Sequence, residues 1–187
     1  MHKISSTSTH HPLHDRRRTV SLPVGGQRLL AAFEGIEGGF AIGASIVAAL
    51  GIAGLPLQLL LVTAIISIIV NGFNTASVKY SSEHYLDELD GREKKSSFKH
   101  YFVPSFIEFV CYVLLSFVSV VPLIIIQDTR IAISISVLMT LVLLFVAGLW
   151  RGYMLRMNGL RDGVETALLG LGIIAVGVVS GLVVNSL

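Results

Sequence analysis

The stretch EGIEGGFAIGASIVAAL, residues 34–50, opens with two glutamates and then carries no charged residue to its end. Extended back to Leu29 it reaches the ~20 apolar residues a helix needs to cross the hydrocarbon of a bilayer. Working outward from it, four more runs of that length follow, at 57–78, 102–126, 131–150 and 164–187, with the first at 29–50. Hydrophobic residues make up 53% of the chain and charged residues only 14%, with a mean hydropathy of +0.76, which excludes a soluble globular protein. The prediction is an all-α, polytopic membrane protein: a five-helix transmembrane domain over 28–187, preceded by a disordered cytoplasmic tail over 1–27.

The connectors support this reading. GIAGLP, residues 51–56, has two glycines and a proline and is too short for anything but a tight hairpin between spans one and two. QDTR, residues 127–130, is the only polar break between spans three and four. Pro104 is expected in the first turn of span three, and Pro122 to kink that span. Beyond span two, Tyr80, His84 and Glu88, and likewise Glu83 and Asp87, recur at four-residue spacing, so the helix is expected to run on for a few turns until Gly91.

Charge gives the orientation. Of the fourteen Lys and Arg residues all but Arg130 fall in the N-terminal region, in 79–99 or in 151–161. Cytoplasmic loops collect Lys and Arg, so the N-terminus is expected in the cytoplasm and the C-terminus on the opposite side. The net charge of +2 is interleaved with acids beside the spans and implies a lipid bilayer, not nucleic acid, as the partner. The single cysteine, Cys111, lies in an apolar run and permits neither an intrachain disulfide nor a cysteine-based metal site.

Ionisable groups inside a bilayer are costly and mark a pathway or a partner. Glu34 and Glu37 are therefore the sharpest functional signal, and their i, i+3 spacing is expected to set both on one face of span one. Span two brings Asn71, Asn74 and Thr75 to about the same depth, and two carboxylates with amide and hydroxyl oxygens would suit a divalent cation. The same residues could instead serve as hydrogen-bonding glue between helices. Glu108 and Glu165 are secondary candidates, with the alternative that each complements a helix dipole near an N-terminus. Glu83 is a further candidate in a mixed-charge segment that also reads as a solvated helix. His10, His11 and His14 could hold a metal weakly or simply belong to a disordered tail. The glycines of spans one and five (Gly35, Gly38, Gly39, Gly43; Gly170, Gly172, Gly177, Gly181) suit close helix contacts, within a bundle or a dimer. No nucleophile has a base at usable spacing, so no enzyme is predicted.

Three stretches resemble the vacuolar iron transporter family. EGIEGGFAIGASIVAAL is similar to its first span, which reads DG and then a run of small residues. VNGFNTASVKYSS, residues 70–82, is similar to its second-span motif ADGFSMAVGDYLS, and LRDGVETALLGLGIIAVG to its last span. The resemblance covers 29–187. It implies a homodimer joined through span one that moves Fe²⁺ or Mn²⁺ out of the cytosol in exchange for protons, with no permanently bound cofactor. Glu34 matches the family's first-span aspartate; Asn71 matches the second-span aspartate and Thr75 the methionine, so an amide and a hydroxyl replace a carboxylate and a thioether. The family's long Glu-rich insertion between spans two and three is absent, which implies a divergent member. It leaves open a second reading, a member that no longer moves metal and is a membrane scaffold or carries another solute. The expected location is the plasma or inner membrane of a prokaryote, or a vacuole-like organelle membrane of a eukaryote.

Overall fold

In hydrocarbon every backbone N–H and C=O must be satisfied by the chain itself, so an apolar run of spanning length resolves into helix. The computed structural model describes residues 25–91, 96 and 98–187. It contains α1 (Gly26–Ile52), α2 (Leu57–Leu89), α3 (Val103–Ile125), α4 (Thr129–Met154) and α5 (Gly159–Asn185), with a π-helical turn, Phe98–Phe102, leading into α3. All five helices are long and apolar enough to cross a membrane, and no strand occurs among the described residues. The tail assigned to 1–27 lies outside the described residues as far as 24, together with His10, His11 and His14; α1 already begins at Gly26.

The helices outrun the apolar segments at several ends, for physical reasons. Past the apolar part of span two, α2 continues to Leu89, as its i, i+4 pattern predicts, and stops before Gly91, whose φ of +64° ends helical geometry. The last two spans, expected at 131–150 and 164–187, instead extend to Met154 and back to Gly159. Arg151 and Asp162 therefore stand on helices, not in a loop, because they are paired with each other. Asp128 caps α4, its Oδ1 accepting from the backbone N–H of Arg130 at 2.9 Å and Ile131 at 3.2 Å. Pro104 lies in the first turn of α3, and Pro122 falls in its last turn, where the helix ends three residues later.

Packing places α1 at the centre, against each of the other four helices, and no residue from 31 to 52 is exposed. Gly35, Gly39 and Gly43 form an i, i+4 stripe that lets α3 come close. A Cβ on Gly35 would lie 2.5 Å from the Glu108 carbonyl oxygen, on Gly39 2.6 Å from that of Tyr112, and on Gly43 2.9 Å from Ser116 Cα. Interhelical hydrogen bonds hold α1 on two sides: Ser116 Oγ of α3 donates to the Gly39 carbonyl at 2.9 Å, and Ser45 Oγ donates to the Ile173 carbonyl of α5 at 2.9 Å. By contrast α2 buries only the narrow stripe Leu60, Ala64, Ile68, Gly72, Ala76 and sits at the edge of the bundle. Fully buried Tyr112 fills the gap between α1 and α2, against Gly38 and Gly39 on one side and Gly72 on the other.

Candidate functional site

Because the helices alternate in direction, the N-terminal ends of α1, α3 and α5 share one end of the bundle with the C-terminal ends of α2 and α4. Two clusters of ionisable side chains form there.

The first is centred on Lys79, in the last third of α2. Its ammonium pairs with Glu34 Oε2 of α1, with Glu83 Oε1 one turn along α2 at 3.0 Å, and reaches Glu108 Oε2 of α3 at 3.9 Å. The Lys79 side chain is only 9% exposed and that of Glu108 only 4%. Glu108 Oε2 is buried without a hydrogen bond. Gln27 Nε2 donates to the second oxygen of Glu83 at 2.5 Å. Three carboxylates from three helices therefore face one ammonium, and the cluster keeps an excess of acid.

The second cluster is centred on Arg151, in the last turn of α4. Its Nε and Nη2 donate to the two carboxylate oxygens of Asp162 at 2.9 and 2.8 Å, a bidentate fork. Nη1 donates to Glu37 Oε2 at 2.6 Å, and Nη2 to Thr166 Oγ1 at 3.2 Å. A guanidinium suits this place because its planar donors serve two carboxylates at once.

Glu34 and Glu37 thus part company. An i, i+3 pair on a peripheral helix would share one partner face, but α1 is surrounded: Glu34 pairs with Lys79 of α2 and Glu37 with Arg151 of α4. The polar residues of span two do not join either carboxylate among the described contacts. Asn71 Nδ2 donates to the Ser67 carbonyl and Thr75 Oγ1 to the Asn71 carbonyl, each at 2.9 Å along their own helix, while Asn74 is exposed. Glu165 is exposed as well, and the acid in the first turn of α5 is Asp162. Glu108 lies beyond the first turn of α3, so a dipole role does not describe it; it belongs to the Lys79 cluster. No three acidic, histidine or cysteine side chains among the described residues form a group able to hold a metal ion.

The residues that sequence reasoning missed are Lys79, Arg151, Asp162 and Thr166. The basic pair entered only as topological charge. One signal was present for Lys79: laid on residues 70–82, the motif ADGFSMAVGDYLS has its second aspartate where this chain has a lysine.

The model of the VIT family matches residues 78–183 of the chain, from the last third of α2 almost to the end of α5. No curated protein matches it.

Proposed function

The chain belongs to the VIT family, and from that premise we propose that it is a membrane transporter carrying a divalent metal ion, Fe²⁺ or Mn²⁺, out of the cytosol in exchange for protons. Family membership points to metal transport across a membrane and not to catalysis, and five spanning helices fit an integral membrane protein. The observation that carries the reading is the convergence of Glu34, Glu83 and Glu108, from three helices, at one end of the bundle. Carboxylate oxygens suit hard and borderline divalent ions, and a carboxylate can exchange its metal for a proton. Glu37 is the second acidic position on the same central helix, and Asn71, Asn74 and Thr75 are polar steps beside the route along α2. A homodimer through span one would meet along the half-buried edge of α1, since α1 lies inside the bundle.

The test is Fe²⁺ and Mn²⁺ flux into proteoliposomes. Glu34→Gln is expected to abolish it and Glu37→Gln to reduce it strongly; undiminished flux in both variants would sink the assignment.

A second reading is favoured by a specific observation: Lys79 and Arg151 already pair with Glu34 and Glu37, carboxylates that a metal would need. On that reading the protein is a divergent member that is a scaffold or carries another solute. Thermal melting in detergent separates the two. Ion binding to the folded state raises the melting temperature with Fe²⁺ or Mn²⁺, whereas a scaffold is indifferent to both.

A further inference from the structure

We propose that the Lys79 ammonium is the built-in occupant of a cation site formed by Glu34, Glu83 and Glu108, and that a divalent ion takes this site only in exchange for it. This rests on the transport reading above and names what controls access to the site.

Lysine is a strongly hydrated cation that is seldom buried without compensation. Here nine-tenths of its side chain is out of solvent, and its Nζ stands where acids from α1, α2 and α3 converge. Three carboxylates for one ammonium is more acid than the lysine requires. The surplus is most evident at Glu108: its Oε2 is buried, makes no hydrogen bond and is aimed at the ammonium from 3.9 Å, too far for a hydrogen bond. An oxygen in that position lacks a ligand that the lysine only partly replaces. A divalent ion draws oxygens to ~2.0–2.6 Å, so the three carboxylates would close inward once the ammonium left. The lysine has somewhere to go, because the Glu34 side chain is 42% exposed and opens the cluster to the surface on that side.

The experiment titrates Mn²⁺ into the purified full-length protein in detergent and reads free Mn²⁺ by electron paramagnetic resonance. Both Lys79→Gln and Lys79→Met are expected to bind Mn²⁺ roughly tenfold more tightly than wild type, or better, since removing a unit charge at this distance is worth at least that factor. Adding Glu108→Gln to either should erase the gain. Unchanged affinity in the folded variants, or a gain that survives Glu108→Gln, overturns the proposal. Two neutral replacements guard against a folding defect in one. The wild type supplies an independent readout: Mn²⁺ should raise amine acylation of Lys79 severalfold, and no change at millimolar Mn²⁺ overturns the exchange. Gain of Mn²⁺ affinity in Lys79→Gln with no metal flux in wild type would defeat the transport reading and leave the site standing. Flux in wild type without any gain would do the reverse.

Discussion

At the scale of single residues, Arg151 shows how a charge is kept inside a bundle. Its guanidinium meets Asp162 through two donors and Glu37 through a third, and Thr166 takes up part of what remains. Removing one partner of such a set leaves the others uncompensated in a low-dielectric place, which costs about 3–5 kcal/mol. Arg151→Met is therefore expected to lower the melting temperature in detergent markedly, and Arg151→Lys to restore only part of it, because an ammonium cannot reproduce the fork. Equal stability of Arg151→Lys and wild type would show that charge alone matters there. Glu34 and Glu37 were legible in the sequence because a carboxylate in an apolar run has no other excuse. Their partners were not: Arg151 and Asp162 stand at helix ends and Lys79 where α2 leaves its apolar run, and there hydropathy cannot tell an inward-facing charge from a loop charge.

At the scale of helices, the stripe Gly35, Gly39, Gly43 decides how near α3 can approach α1. Gly39→Ala would set a methyl 2.6 Å from the Tyr112 carbonyl oxygen, and forcing extra volume into a packed contact costs about 1–3 kcal/mol. Gly172 is the control on α5, since a Cβ there meets nothing within 4 Å. Gly172→Ala should leave stability unchanged or raise it by up to ~1 kcal/mol through helix propensity. Thermal melting of the two variants side by side checks the pair, and equal effects would contradict the packing described. The number and order of the helices were readable from apolar length and from the Gly and Pro connectors, because those signals are local. Which face of α1 meets which neighbour was not, since small residues suit a contact within one chain as well as one between copies.

At the scale of the whole molecule, the end that holds both ion-pair clusters is also the end marked by the basic residues. The opposite end offers only Asp128 and Arg130 as charges among the described residues. That asymmetry predicts that the cluster end faces the cytoplasm, and accessible cysteines can test it. With the half-buried Cys111 replaced by serine, Gln127→Cys in the short α3–α4 turn and Ser186→Cys after α5 should react with a membrane-impermeant maleimide on intact cells. Glu88→Cys, exposed near the end of α2, should react only after the membrane is opened. For a chain that works in an organelle membrane, sealed vesicles of that organelle give the same two patterns with the sides exchanged. The inverse labelling would reverse the proposed direction of transport, because Glu34, Glu83 and Glu108 would then meet ions arriving from the far side. Since the carboxylates and the basic clusters share one end of the bundle, one labelling experiment fixes both the topology and the side from which a cation would reach Lys79.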